Sequence, residues 1–423
     1  MRTTTDLPPE IVEAIAEWID CSDDTLSFAL ASKFTASILS PRHTQLRHIR
    51  CDVNAMCLWR AFSHDQSLAR NVRSLEIMSS SPCRVPRFIC TCDRPCAHDV
   101  SRREAELELI VAVKNLANLV SFKWRSAANV VIAHMEPDRQ DVWTSLACCR
   151  NLGNVDIAEN NWLNQAPTGS EAAILNLSDL TTLRYTGLFA DSRPIDATVL
   201  GVMLRERCPR LQKLILSLPC RPPVRSRDAG ESILSGRWPD LRTLGLTGAA
   251  CSPATAITFF VAHPQLSQLS IDELIGCDPQ YHGRLLPLDC PPGLLPNLRK
   301  LESIAERAIE LLSAPSAQPR PIEHVSIWRG PHVEDFPALL AALPSVTSVE
   351  LQVATVDLVA RIAQAAPWLT RLRVPSGTAI LSDLNFDKKK KKWQAAISRF
   401  RCLEAFESQN PECNMLDVMR SDL

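Results

Sequence analysis

Apolar residues recur along most of this chain in one short pattern, with gaps of two residues and then one residue between three apolar positions. The last two apolar positions alternate with polar ones, which is typical of a β-strand with one buried face. Most copies start 23 to 33 residues after the preceding copy, which is enough for a strand and a returning helix. The regular copies are Leu119/Phe122/Trp124, Leu152/Val155/Ile157, Leu180/Leu183/Tyr185, Leu211/Leu214/Leu216, Leu241/Leu244/Leu246, Leu266/Leu269/Ile271, Ile322/Val325/Ile327, Val346/Val349/Leu351 and Leu369/Leu372/Val374. Three degenerate copies are Val72/Leu75/Ile77, Leu298/Leu301/Ser303 and Leu403/Phe406/Ser408.

The segments between these copies have the apolar spacing of helices. Residues 197–207 and 356–366 carry apolar side chains three or four positions apart, and a proline such as Pro209 or Pro367 follows directly. A proline ends a helix at the residue before it. The chain from 72 to 423 is therefore predicted to be an α/β solenoid of about 12 irregular strand–helix repeats. Its parallel strands should lie on the concave side and its helices on the convex side.

The first 51 residues have helical periodicity instead, and they predict a small all-α head. Asp6 can cap a helix that starts at Pro8 and Pro9, and Asp23 or Asp24 can cap a second helical segment that Pro41 stops. The apolar rows are Ile11/Ile15/Ile19 with Val12 and Trp18, and Leu26/Leu30/Phe34 with Ala31 and Ile38. Two or three short helices are expected, followed by a connecting helical segment at 52–71. A unit this small buries too little surface to be stable alone, so its apolar faces must meet another surface.

The head resembles the F-box family. That family opens with Leu-Pro, an acidic residue and an Ile or Leu, matched here at positions 7–11, and continues to an Ala-Leu-x-Ser-Lys step, matched at 29–33. The family often has a Trp shortly after that Lys, where this chain has only Phe34. The resemblance implies docking on a Skp-type adaptor and, through it, on a cullin scaffold. The implied adaptor-binding residues are Leu7, Pro8, Glu10, Ile11, Ile15, Leu30, Ser32, Lys33 and Phe34. The alternative is an ordinary N-terminal helical hairpin packed on the next domain.

The repeats resemble irregular leucine-rich repeats of the kind that often follows an F-box. This resemblance implies a leucine-rich-repeat horseshoe. Regular repeats have Asn or Cys eight residues after the first Leu, and only Asn160 fits that position. A non-repeat α/β fold is the alternative.

Strand alternation predicts which side chains face outward on the sheet. The outward residues are Lys123, Arg125, Asp156, Arg184, Lys213, Lys300, Glu302, His324, Trp328, Glu350, Arg371 and Arg373. Twelve strands side by side span about 50 Å, which fits a protein partner better than a metabolite. The candidate target-binding residues are Lys123, Arg125, Arg184, Lys213, Trp328, Glu350, Arg371 and Arg373. Their alternative role is that of a solvated sheet face.

Composition narrows the classes of partner and compartment. Lys plus Arg number 46 and Asp plus Glu number 47, so no global field favours nucleic acid or a membrane surface. The first residues lack an apolar signal region, and no stretch of 18 apolar residues occurs, which predicts a cytoplasmic or nuclear protein that is not secreted. Sixteen scattered cysteines, of which Cys148, Cys208 and Cys402 lie on apolar stripes, are read as free buried thiols.

Two further motifs carry little weight. A Cys-rich insertion at 79–104 contains Cys83, Cys90, Cys92, Cys96 and His98 but lacks the paired C-x2-C spacing of structural zinc sites, so no metal is expected. The run Lys388–Lys392 can be read as a nuclear import signal or a contact for an anionic partner, but lone lysine runs are common, which favours a solvated loop.

No nucleotide-binding or hydrolase motif is found, so neither an enzyme nor a cofactor is expected. These expectations combine into a substrate-recognition subunit of an SCF-type (Skp-cullin-F-box) ubiquitin ligase that holds an unidentified target protein. The alternative is a leucine-rich-repeat interaction scaffold without that role. The two differ in exposure: Leu7, Pro8, Ile11 and Leu30 should be partly exposed in the first case and covered in the second.

Overall fold

The computed structural model describes most of the chain, namely residues 7–19, 21–40, 42–78, 89, 102–125, 142–159, 175–187, 197–217, 227–249, 251–271, 292–313, 320–328, 333–352, 354–374 and 386–408. The chain divides into two compact units, Met1–Leu211 and Gln212–Leu423, which are taken in turn.

The described part of the first unit contains nine helices and five strands. Its strands pair in parallel in the order β1-β2-β3-β4-β5. The elements are α1 (Pro9–Trp18), α2 (Ser22–Leu30), α3 (Lys33–Leu39), α4 (Arg42–Gln45), β1 (His48–Cys51), α5 (Met56–His64), α6 (Gln66–Ala69), β2 (Ser74–Met78), α7 (Arg102–Asn115), β3 (Ser121–Arg125), α8 (Val142–Ala147), β4 (Asn154–Glu159), β5 (Thr182–Gly187) and α9 (Ala197–Arg207).

The described part of the second unit contains six helices and eight strands. Its strands also pair in parallel, in sequence order from β6 to β13. The elements are β6 (Lys213–Ser217), α10 (Arg227–Leu234), β7 (Thr243–Thr247), α11 (Pro253–Ala262), β8 (Gln268–Ile271), β9 (Lys300–Ser303), α12 (Ala305–Ser313), β10 (His324–Ile327), α13 (Phe336–Ala341, preceded by a 3-10 turn at Val333–Asp335), β11 (Ser348–Leu351), α14 (Val356–Ala365), β12 (Arg371–Val374), α15 (Phe386–Ile397) and β13 (Ala405–Ser408).

The predicted strand repeats are confirmed within each unit. Every one of the twelve predicted copies supplies one strand, and its apolar side chains are buried, except for Leu403 of the last copy, which is half-buried. The degenerate copy in β9 keeps this geometry even though Ser303, fully buried, stands where other copies have an apolar residue. Each unit is thus an α/β stack of parallel strands and helices of the solenoid type.

The sheet begins earlier than the sequence predicts. β1 precedes residue 72, where the first repeat was expected, and it pairs in register with β2 from His48 and Ser74 onward. Its inward residues Ile49 and Cys51 are buried. Residues 52–71, predicted as a connecting helical segment, therefore run between two strands and contain α5 and α6.

The helical head differs from the prediction at its helix ends. The second predicted segment is split at Ser32, whose hydroxyl accepts a 3.0 Å hydrogen bond from the Thr35 amide while the Thr35 hydroxyl accepts one of 3.0 Å from the Ser32 amide. This capping box starts a new helix, α3, inside the segment. Cys21 precedes α2, so Asp23 and Asp24 lie in its first turn and do not cap it.

The start of α1 lies one residue later than expected. Pro8 occupies the N-cap position and Pro9 the first helical position, where a missing N–H leaves no partner unsatisfied. The predicted cap Asp6 lies outside the described residues.

Most of the core of the head lies outside the predicted apolar rows. Val12 and Ala16 of α1 are fully buried together with Leu39 of α3, and Ala29 of α2 is nearly so. In the predicted apolar row Ile11/Ile15/Ile19, Ile11 and Ile15 are exposed and Ile19 is half-buried. The helix is rotated so that its smaller side chains permit close packing, which leaves the larger ones outside.

Arg47 joins the head to the strands. Its side chain is buried and donates hydrogen bonds to the backbone carbonyls of Ala16 and Ile19 and, at 2.8 Å, to the hydroxyl of Thr25. Its own carbonyl accepts from the amide of Ser74 at 2.9 Å, at the start of β2. A cation is favourable at the carbonyl end of α1, where the helix leaves acceptors without partners in the helix. One residue thus fixes the head against the first two strands.

Among the cysteines that the structure describes, the thiols are free as predicted, but only some of them are buried. All eight cysteines within the described ranges are free thiols. Cys208 is buried as expected, whereas Cys148 and Cys402 are exposed. The buried thiol beside Cys148 is Cys149, and burial raises its pKa to about 12.

The lysine run is helical rather than a loop. Lys388–Lys392 lies within α15, and Lys391 and Lys392 are exposed. Lysine is a good helix former, and the buried Trp393, which follows directly, anchors the helix to the unit. The Cys-rich set from Cys83 to His98 lies outside the described residues, while the end of the predicted insertion forms the start of α7. Among the described helices, none is long and apolar enough to cross a membrane.

Candidate interaction surfaces

One side of α1 is apolar and open to solvent. Ile11, Ile15 and Trp18 follow one another at helical spacing, and they are 46%, 39% and 87% exposed. Leu7, just before the helix, is 37% exposed. Large apolar side chains so exposed on a small helical unit are a feature of protein contact sites.

A second apolar row lies on α2. Leu26 and Leu30, one helical turn apart, are 49% and 72% exposed. Both α1 and α2 contact α3, so the two rows belong to one small helical body. Trp18 and Leu26 were placed in apolar rows from the sequence but were not expected to be contact residues. On α1, the smaller residues Val12 and Ala16 are buried, so the larger side chains of this helix point away from the core.

The other predicted adaptor-binding residues divide into two groups. Pro8, Glu10 and Lys33 are exposed and available for contact. Ser32 and Phe34 are half-buried: Ser32 caps α3, and Phe34 packs against the core of the head. The structural roles of Ser32 and Phe34 within the head are enough to explain why these residues occur there.

The outward face of strands β1–β5 carries a ladder of alternating charges. Arg50 lies 4.0 Å from Glu76, which lies 3.8 Å from Arg125. Arg125 in turn lies 3.5 Å from Asp156, and Asp156 lies 3.9 Å from Arg184. The strand register places Arg50, both acids and Arg184 in one row across the sheet, with Arg125 reaching back into it.

Lys123 occupies the middle of the same row, between Glu76 and Asp156. The predicted outward residues Lys123, Arg125 and Arg184 are therefore brought together. Arg50 was missed, because its strand was assigned to the head. The fit of Leu46/Ile49/Cys51 to the repeat pattern could have revealed it.

The late strands of the second unit carry a different face. The Lys300 ammonium lies 2.7 Å from Glu302, and Arg373 lies 3.4 Å from Glu350. The register places Glu350 directly beside Arg373 on the next strand. Trp328 follows β10, is half-buried, and its amide donates to the Ser303 carbonyl at 2.9 Å.

His324 and Arg371 lie in one row of this face, separated by Ser348. A ring nitrogen of His324, Nδ1, lies 2.9 Å from the Ser348 hydroxyl. Burial, and then the charge of Lys300, lowers the pKa of His324. The ring is therefore neutral at pH 7 and adds no charge to the face.

The early strands of the second unit separate these charges from Lys213. Lys213 lies on β6 beside Thr243 and is half-buried. The outward positions of the two following strands are uncharged: Thr243, Gly245, Thr247, Gln268 and Ser270. The predicted target-binding residues thus form two groups, one in each unit, and Lys213 belongs to neither.

Within the described ranges, no three His, Cys, Asp or Glu side chains are grouped so that they could hold a metal ion. No model of a known protein family matches the chain, and no curated protein sequence matches it. The interaction surfaces therefore carry the argument for function.

Proposed function

We propose that this protein is a substrate-recognition subunit of an SCF-type ubiquitin ligase. In this proposal the head is an F-box that docks on a Skp-type adaptor, and through it on a cullin, while leucine-rich-repeat strands bind a target protein.

The observation that carries the proposal is the exposed apolar surface of the head. Ile11, Ile15 and Trp18 on α1, with Leu26 and Leu30 on α2, remain open to solvent although the head is attached to its own strands. A head that served only to cover the first repeats would direct these side chains inward. Their exposure favours a second protein as the partner over a scaffold whose head packs on its own chain.

The residue types on α1 and α2 suit a contact of this kind. Interfaces draw most of their free energy from a few large side chains in a desolvated centre. Trp18 is of the type most enriched there, and the exposed Leu26 and Leu30 of α2 offer further apolar area. Each apolar side chain that becomes fully buried contributes about 1.5–3 kcal/mol relative to full exposure.

The mechanism needs no catalytic group on this chain. A receptor that holds its target beside a ubiquitin-conjugating enzyme raises the local concentration of target lysines, to the millimolar range for short flexible tethers. The charged strand faces are the candidate target-binding surfaces, because they present arginines, which are common among interface hot spots.

The test measures binding of the full chain to an immobilised, purified Skp-type adaptor. The double variant Ile11→Ser, Leu30→Ser should lose about 100-fold in affinity, since both side chains lie in the proposed contact. The matched control Val111→Ser, Val261→Ser changes two valines that are 47% and 58% exposed on α7 and α11. It should bind the adaptor as the parent chain does.

Circular dichroism of both variants checks that they fold. If the parent chain fails to bind the adaptor, or if the head variant binds as well as the control, the adaptor role is wrong. The interaction scaffold would then be the better description.

A further inference from the structure

The ladder on β1–β5 combines projecting bases with recessed acids. The side chains of Arg50, Arg125 and Arg184 are 61%, 47% and 46% exposed. Those of Glu76 and Asp156 are only 21% and 16% exposed. The groups that an approaching partner meets first are therefore cationic, and the acids lie beneath them.

The four charge pairs of the ladder are long. Their separations of 3.5–4.0 Å exceed the length of a charge-assisted hydrogen bond, about 2.7–2.9 Å. Each guanidinium has five N–H donors, so the carboxylates attract and orient these groups without consuming their donors. With Lys123 in the same row, four bases stand against two acids, which leaves the row with an excess positive charge.

The spacing of the guanidinium groups suits an extended chain. The arginines lie on the first, third and fifth strands. Neighbouring strands are about 4.8 Å apart, so successive arginines are about 10 Å apart across the sheet. A segment in the extended polyproline II conformation has three residues per turn and advances about 3.1 Å per residue, so every third side chain lies on one side and recurs about every 9 Å, close to the spacing of the arginines.

We infer that the β1–β5 face binds an extended segment of a partner protein with anionic side chains at every third residue. The inference rests on the proposed function, since it names the class of target. A protein partner is favoured over single-stranded nucleic acid because the outward face of the described strands lacks aromatic side chains for base stacking. The outward positions of these five described strands include no Phe, Tyr or Trp on which bases could stack.

The experiment uses the full chain and labelled synthetic peptides of about 13 residues, followed by fluorescence anisotropy. One peptide has Asp at every third position, one has phosphoserine there, and one has Asn. The two anionic peptides separate carboxylate from phosphate as the source of negative charge. An oligouridylate of similar length tests nucleic acid.

At least one anionic peptide should bind, and the Asn peptide should bind about tenfold more weakly or not at all. The variant Arg50→Gln, Arg125→Gln, Arg184→Gln should lose about tenfold or more in affinity for that anionic peptide. Its control, Arg60→Gln, Arg70→Gln, Arg150→Gln, removes the same charge from exposed arginines of the first unit that lie off the strands. The control should stay within about twofold of the parent chain.

Three results would overturn the inference: no binding of either anionic peptide, equal binding by the arginine variant and its control, or tighter arginine-dependent binding of the oligouridylate. Adaptor binding is measured on the same preparations. A chain that captures the adaptor but no anionic peptide refutes this inference alone, whereas a chain that fails to capture the adaptor refutes the proposed function.

Discussion

The head and the first strands distribute large apolar side chains in opposite ways. In the head, alanines and one valine form much of the core, while Trp18 and Leu30 stand in solvent. In β3, Phe122 and Trp124 are buried, and the outward positions include the charged Lys123 and Arg125. Polar residues are expected on any strand face in contact with water, so only the arrangement of their charges can indicate a partner. Large exposed apolar side chains on a small helical unit indicate a protein contact site without further information.

The largest expected effect contrasts two leucines of the head. Leu39 is fully buried and Leu30 is 72% exposed. Leu39→Ala should lower the free energy of unfolding by about 3–4 kcal/mol, because it leaves a cavity in a core of few residues. Leu30→Ala should change it by no more than about 0.5 kcal/mol. Urea denaturation of both variants measures the difference, and equal losses would mean that Leu30 is covered by the chain itself.

A second prediction separates Arg47, just before β1, from Arg50, within β1. Arg47→Met removes the buried donor of the Ala16 and Ile19 carbonyls and of the Thr25 hydroxyl. Unsatisfied buried acceptors are costly, so a loss of about 2–3 kcal/mol is expected. Hydrogen exchange of the α1 amides should accelerate with it. Arg50→Met, at an exposed position, is the control and should cost about 0.5 kcal/mol or less. Unchanged exchange in α1 would show that Arg47 does not hold the head.

A third prediction compares the salt dependence of the two proposed contacts. Raising the salt from about 50 mM to about 300 mM shortens the Debye length about 2.5-fold. Affinity for the anionic peptide should fall about tenfold, while affinity for the adaptor, which relies on apolar burial, should change about twofold or less. Parallel salt profiles would contradict the division into an apolar and a cationic surface.

The smallest expected effect concerns His324, on the strand face of the second unit, and the dependence of stability on pH. The lowered pKa of His324 means that the unfolded chain takes up a proton there before the folded chain does. Its contribution to stability is present above pH ~6.5, the ordinary pKa of histidine, and is lost as the pH falls from there through the lower folded pKa. His324→Asn should remove this part of the slope in urea unfolding measured at several pH values. Identical slopes for variant and parent would argue against it.

The sequence was most informative where one physical rule acts alone. Inward and outward positions of a strand alternate strictly, so Lys123 and Arg184 could be placed outward on the pattern alone. The partners of these residues across the sheet could not be predicted, because they depend on the register between strands. The pairing of Asp156 with both Arg125 and Arg184 is an example.

The head was harder to predict because competing signals meet there. The row Ile11, Ile15 and Ile19 could have faced either the head's own core or a partner, because helical periodicity does not say what a face contacts. In the structure the core of α1 is formed by the smaller Val12 and Ala16. Ser32 was read as part of a family motif, and its capping role became clear only from the hydrogen bonds with Thr35.

The strand register of the first unit also bears on how such a surface can change over generations. Positions 50, 76, 123, 156 and 184 are equivalent sites on successive strands, and each is structurally separate from the buried residue next to it. Substitutions there alter the order of charges while the packing beneath stays the same. The charge pattern of such a row can therefore change by single substitutions. Binding specificity can then differ between related chains while the stability of the fold is kept.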